Sequence, residues 1–296
     1  MSPGPPPYGV QRRYNHPSLG YKTKEENVAD YRHIEVERRG AVALGRLINP
    51  PQNLMNAAMV AELGQLAQDV EGDAEVRALV LTGGVTGIFI THYDVSELVR
   101  ASDAARRAEQ PAQPSTGELH PVHQTFNRLQ SLPKPVIAAI NGVAMGGGCE
   151  LALACDFRFM ARGGLIGLPE VRVGILPGAG GTQRLARILG TARALELILL
   201  GKVVTADEAA AIGMVHRALE PDELLPYALE FAAELAGRPP TSVAQIKRCI
   251  HEGAQLPLMD GLRLEQECFW NTMRSDDALR LMRDYVEGRL GPLSQS

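Results

Sequence analysis

Two carboxylates stand among apolar neighbours in this chain. Glu150 sits in "AMGGGCELALACDF" (144–157) and Glu170 in "GLIGLPEVRVGILPG" (164–178). A carboxylate in apolar surroundings is costly unless paired. Each is therefore either satisfied by a partner elsewhere in the fold or kept as a working group. Glycines 146–148 precede Glu150. Read as a helix start, they offer N–H groups with no intrahelical partner at the positive end of the helix dipole. Without side chains they let a ligand approach the backbone. Such a start suits an oxyanion, with the Gly147 N–H as the natural donor. Glu150 follows three residues later and returns to nearly the same face. One short helix thus presents a donor and a carboxylate to the same small volume. Two acids in apolar pockets suit general acid–base work, because burial raises a carboxylate's pKa towards neutrality. The residues alone equally allow two surface or salt-bridged acids.

These groups need a scaffold, and the pattern supplies an α/β one. "IEVERRGAVALGRLIN" (34–49) reads as two strands turning at Gly40. Residues 56–73 read as a helix capped by Asn56 and ending near Gly72. Residues 76–84 read as a buried strand and 101–118 as a loop or short helix. Residues 119–132 read as an amphipathic helix, and 135–148 as a strand followed by a glycine-rich turn. "CELALACD" continues as helix, 157–170 gives two short strands, and 178–201 gives a glycine turn and then a helix. Thr205 and Glu208 form a capping box, and the pattern is helical from Pro221 onward. Strand, strand, helix thus repeats over about 34–215, with helices after it. "GGVTG" after a strand is not a dinucleotide-binding GxGxxG.

The 296 residues carry a net charge of −4, with 45% hydrophobic and 22% charged residues. Nothing in this balance points to nucleic acid or an anionic membrane. No apolar run approaches a membrane span. Residues 1–30 lack the apolar stretch of a secretory signal and read as a flexible arm. Cys149, Cys155, Cys249 and Cys268 form no CxxC pair or metal pattern and read as reduced thiols of a cytoplasmic protein.

The stretches "KPVIAAINGVAMGGGCELALACDFRFMA", "IGLPEVRVGILPGAGGTQRLARILG" and "TADEAAAIGMVHRAL" resemble the enoyl-CoA hydratase/isomerase (crotonase) family. The similarity covers about 34–295 and is most specific over 134–216. It implies a crotonase-like superhelical spiral of ββα turns over 31–220. It also implies a helical C-terminal segment over 221–296 that builds trimers, often paired into hexamers. The implied ligands are acyl-CoA thioesters, with coenzyme A as part of the substrate and no separate cofactor or metal. The oxyanion hole would combine the N–H of Gly147 with that of Thr91. The Glu150 and Glu170 pair would handle the attacking water and the α-carbon proton, as in hydration of an enoyl-CoA.

The sequence departs from the family in two places. Where the family reads F-S-A-G-A-D, this chain reads Phe89-Ile90-Thr91-His92-Tyr93-Asp94. His92 in place of glycine implies strain or a shifted loop, and His92 and Tyr93 either fill space, contact an unusual acyl group or take a chemical role. Pocket candidates are His92, Tyr93, Gly146, Pro169, Pro177 and Gly178. His120 and His123 share a helical face and read mainly as surface residues, and Asp156 as a cap or bridge. Where relatives end in Phe-x-Glu-Lys-Arg, this chain has Tyr285-Val286-Glu287-Gly288-Arg289, lacking a lysine that could meet CoA phosphates. "NPPQNLMN" (49–56) resembles the family's early CoA-contacting turn. The departures leave three alternatives: 3,2-enoyl-CoA isomerisation, C–C hydrolysis of a β-diketone, and a catalytically weak acyl-CoA-binding member.

Overall fold

A computed structural model describes residues 31–107 and 117–290, so the expected N-terminal arm lies outside the described residues. The chain opens with β1 (Ile34–Arg39), β2 (Val42–Leu47) and α1 (Ala57–Gly72). Then follow β3 (Ala78–Gly83), β4 (Ile88–Ile90), α2 (Val95–Arg107) and α3 (Pro121–Ser131). The next turn is β5 (Val136–Ile140), β6 (Val143–Met145) and α4 (Gly147–Ala154). After it come β7 (Phe157–Ala161), β8 (Leu165–Gly167), a 3₁₀ turn at Glu170–Val173, α5 (Gly181–Leu189) and α6 (Thr191–Leu199). The described chain closes with β9 (Val203–Thr205), α7 (Ala206–Ala211), β10 (Arg217–Leu219), α8 (Pro221–Ala236), α9 (Pro240–Gly253), α10 (Leu258–Met273) and α11 (Asp276–Val286).

Two sheets share out the strands. The larger has the order β1-β2-β3-β5-β7-β10, parallel except for β1 against β2. The smaller has the order β4-β6-β8-β9, with β9 antiparallel to β8. The pairs β3/β4, β5/β6 and β7/β8 each place one strand in the large sheet and the next in the small one. The strand and glycine-rich turn read over 135–148 are therefore two strands, split at Asn141-Gly142. A Cβ on Gly142 would stand 1.8 Å from the Gly87 carbonyl oxygen, so the chain passes there only without a side chain.

The caps at Asn56 and Thr205 take the expected form: Asn56 accepts from the Met59 N–H, and Thr205 and Glu208 close a capping box. The single helix expected after Gly178 is two, because Gly190 ends α5 and starts α6 with φ at 79°. Residues 101–107, expected to be a loop or short helix, continue α2, which buries none of its side chains. Residues 108–116 lie outside the described residues.

The main core lies between the helices and the sheets and includes Leu63, Leu81, Phe89, Phe126 and Leu151. A second core covers the opposite face of the large sheet. There Leu224, Ala228, Ala232 and Ala236 of α8 pack on Leu44, Val80, Ile137 and Phe159. The change to an all-helical pattern at Pro221 is therefore no break in packing: α8 is a layer of the core. Among the described residues no helix is long and apolar enough to cross a membrane.

Ala228 is fully buried against the sheet. Ala228→Leu is expected to lose about 1–3 kcal/mol of folding stability by overpacking. A shift of the denaturant midpoint of the whole chain measures it. An unchanged midpoint would mean that α8 is detachable from the core.

Candidate active site

The three parallel strands of the small sheet set the site. Their register aligns Ile90 of β4 with Ala144 of β6 and Ile166 of β8. Three residues beyond that row the chain reaches Tyr93, Gly147 and Pro169, with Glu170 next. The C-terminal strand ends thus converge on one cavity of about 780 Å³. It is lined by His92, Tyr93, Gly146, Gly147, Glu150, Pro169, Glu170, Gly178 and Ala179. Its apolar wall includes Val95, Leu98, Met145, Val173, Ile175 and Leu176.

Glu150 is only 3% exposed. Its Oε1 accepts the N–H groups of Ala179 (2.7 Å) and Gly181 (2.8 Å), while Oε2 has no protein donor among the described residues. Burial pushes its pKa up, and the two backbone donors together with Arg184 oppose that shift. Glu170 caps the site from the first residue of the 3₁₀ turn. Burial, with a smaller contribution from the Glu150 charge, raises its carboxyl to about 7. Its Oε2 is buried without a hydrogen-bond partner. The two acids therefore differ: one is held by fixed donors, the other is left in an apolar wall.

Backbone donors lie opposite them. Gly146 adopts φ 51° and starts α4, so the Gly147 N–H belongs to the unsatisfied first turn. The expectation of a second donor at Thr91 does not fit. The Thr91 N–H donates to the Asn53 carbonyl at 3.3 Å, and Thr91 is not among the cavity's lining residues. Around Tyr93 the chain bridges Met55, with the Met55 N–H on His92 O and the Asp94 N–H on Met55 O. Alternation along an extended segment turns the Tyr93 N–H the other way. It points towards Gly147, where a Cβ would stand 3.6 Å from Tyr93 N. The inward donor is thus Tyr93, not Thr91.

His92 takes no left-handed conformation; among the described non-glycine residues only Asn53 does. The strain expected from replacing glycine is absent. The His92 Nδ1 lies 2.7 Å from the Tyr93 carbonyl. A carbonyl only accepts, so Nδ1 carries the proton and Nε2 is left as an acceptor. The Tyr93 hydroxyl donates to Glu97 at 2.7 Å, and burial together with that carboxylate pushes the phenol's pKa up. His120 caps α3 through its ring Nδ1 and is exposed, as the surface reading has it, while also lining the cavity; the half-buried His123 does not line it. Pro177 also lies outside the lining: it is buried, with its Cβ 2.9 Å from the position a Gly181 Cβ would take.

Sequence reasoning missed Asn53 and Arg184. Asn53 is fully buried, donates to Leu47 O and Phe89 O, and accepts the Asn49 N–H, so it ties the 49–56 turn to β4. Arg184 donates to the Ala179 carbonyl at 3.1 Å, bracing the loop that holds Glu150. Arg289, beside the position of the missing lysine, is paired with Asp284 and Glu287.

Glu170 sets a pH dependence of stability. Its folded pKa of about 7 stands above the ordinary 4.5. Stability is therefore complete below about 4.5 and is lost as pH rises through about 7. Glu170→Gln is expected to melt higher than the parent above pH 7, by about 1–2 kcal/mol after discounting the group's partial exposure. The two melting curves should coincide below pH 4.5; a constant offset at all pH values would refute the linkage.

Known proteins resemble this chain over most of its length. The family model described as enoyl-CoA hydratase/isomerase matches residues 37–295. The short-chain-enoyl-CoA hydratase of Clostridium acetobutylicum is 36% identical over 258 residues, covering 87% of this chain and 95% of that protein. The mitochondrial methylglutaconyl-CoA hydratase of Rattus norvegicus is 34% identical over 279 residues, covering 92% of this chain and 86% of its own length. The crystal structure of an enoyl-CoA hydratase from Bacillus anthracis superposes with a TM-score of 0.77 at 34% identity, covering 87% of this chain and 97% of that one.

Proposed function

The chain belongs to the enoyl-CoA hydratase/isomerase family, and from that premise we propose that it adds water across the 2,3 double bond of an enoyl-CoA thioester. The observation that carries this reading is the pair of unlike carboxylates facing one cavity beside two inward backbone N–H groups. The thioester oxygen accepts from the Gly147 and Tyr93 N–H groups. That polarises the conjugated system, makes the β-carbon electrophilic and stabilises the enolate that forms. Glu150, its Oε1 held by two donors, takes a proton from water through Oε2 as the oxygen bonds to the β-carbon. Glu170, with a pKa near neutrality, delivers a proton to the α-carbon. Water is consumed, a 3-hydroxyacyl-CoA is formed, and the proton on Glu150 returns through solvent to Glu170. The substrate brings its own coenzyme A, and the reading invokes no further cofactor or metal. A cytoplasmic location is part of the same reading, supported by the composition and the bacterial relatives.

Loss of the conjugated enoyl-thioester absorbance tests the activity. Glu150→Gln and Glu170→Gln are each expected to lower kcat about 10²–10⁴-fold. Full activity of Glu150→Gln would instead favour proton transfer by Glu170 alone, as in isomerisation.

The assembly belongs to the same reading. Helices α9 to α11 expose Ile250, Leu258, Met259, Phe269, Trp270 and Val286. An apolar surface of this kind suits burial against further copies of the chain, and a trimer, alone or paired as a hexamer, supplies them. Phe269→Glu with Val286→Glu is expected to give monomers by light scattering. A mass unchanged from the parent would count against this face as the interface.

A further inference from the structure

A line of polar groups, buried at Glu150 and Arg184 and half-buried at Gln130, His251 and Asp156, runs from Glu150 to the C-terminal helix α9. The Ala179 peptide donates its N–H to Glu150 and accepts at its carbonyl from Arg184 Nη1 at 3.1 Å. Arg184 Nε donates to Gln130 Oε1 at 2.8 Å, and Nη2 donates to Asn127 Oδ1 at 2.6 Å. Gln130 Nε2 lies 3.3 Å from His251 Nδ1, and His251 Nε2 lies 2.8 Å from Asp156 Oδ1. Asp156 Oδ2 accepts from Lys247 Nζ at 2.6 Å and from the Val136 N–H at 2.7 Å.

The polarity of this line is fixed from one end. Arginine only donates, so Gln130 must turn its oxygen to Arg184. Its amide N–H₂ then donates to His251 Nδ1, and His251 Nε2–H donates to Asp156. Each contact along the line then joins a donor to an acceptor. Asp156, expected to cap or bridge, anchors the far end with Lys247.

We infer that His251 is a positioning residue for Glu150, acting through Gln130 and Arg184 on the 179–181 loop. The inference rests on the reading of Glu150 as the group that takes the proton from water. Gly180 sits at φ 103°, and a Cβ there would stand 2.2 Å from Arg184 Nη1. The guanidinium occupies that space and fixes the peptide whose N–H holds the carboxylate. Its orientation depends in turn on Gln130, whose amide depends on His251. Displacing a catalytic group by a fraction of an ångström lowers the chemical step more than it lowers binding.

A double-mutant cycle on the full-length chain tests the inference, with kcat and KM measured on a short-chain 2-enoyl-CoA. His251→Leu and Gln130→Leu are each expected to lower kcat about tenfold with KM changed less than about twofold. The double variant should lose no more than either single one, because both cut the same line. His251→Gln, which keeps one acceptor and one donor, should recover most of the loss. A wild-type kcat in His251→Leu, losses that multiply in the double variant, or a change carried by KM would each overturn the inference. Should His251→Leu fail to fold, Gln130→Leu leaves the Asp156–Lys247 pair intact, and a wild-type kcat there overturns it equally. An active parent with an additive cycle removes only the role of His251. A parent without hydration removes the reading beneath it.

Discussion

The structure around the cavity depends on keeping one carboxylate buried beside apolar neighbours. Glu150 can stay there because two backbone N–H groups converge on one of its oxygens. That convergence dictates the sequence nearby. The start of α5 must come against α4, and a Cβ on Gly181 would stand 3.0 Å from Glu150 Cγ and 2.9 Å from Leu168 and Pro177. Helix α4 must in turn press against β4, where a Cβ on Gly148 would stand 2.4 Å from the Ile90 carbonyl oxygen. "GGGCE" and "PGAGG" are thus two halves of one packing solution, and neither has to bind phosphate.

The two acids gain their difference from their surroundings. Glu150 is buried and Glu170 half-buried, and burial raises both. Glu150 is compensated by oriented donors, which favour its charged form. Glu170 has no donor for its second oxygen and feels the Glu150 charge, so the proton is easier to keep there. Under the proposed hydration, where one acid gives a proton and the other takes one, such an asymmetry separates the two roles.

The alternation of strand, strand and helix was legible in the sequence because glycine-rich hinges punctuate it, and so was the three-residue step from Gly147 to Glu150. Three things were not. The donor at Tyr93 rather than Thr91 depends on which side of the segment Met55 bridges, and that partner is 38 residues away in sequence. Thr91 and Tyr93 would face alike in a regular strand; the Thr91 N–H instead turns to the Asn53 carbonyl, a bend that the sequence does not announce. The place of α8 in the core was hidden because an alanine-rich helix reads the same whether or not a sheet lies beneath it. Arg184 looked like one more charged residue of an amphipathic helix, since its partners come from α3 and from a peptide carbonyl.

The small sheet explains why the first segment of the site tolerates an unusual sequence. The register of β4 with β6 and β8 is set by backbone bonds alone. The side chains at 92 and 93 do not take part in that register. With φ in the ordinary range at His92, a histidine and a tyrosine enter without disturbing the donor. They alter the wall instead. The His92 Nε2 acceptor and the Tyr93–Glu97 pair add polarity beside the otherwise apolar surface of Val95, Leu98 and Met145. The departure from the family pattern at these positions therefore changes the polarity of the cavity wall and leaves the backbone path in its ordinary range.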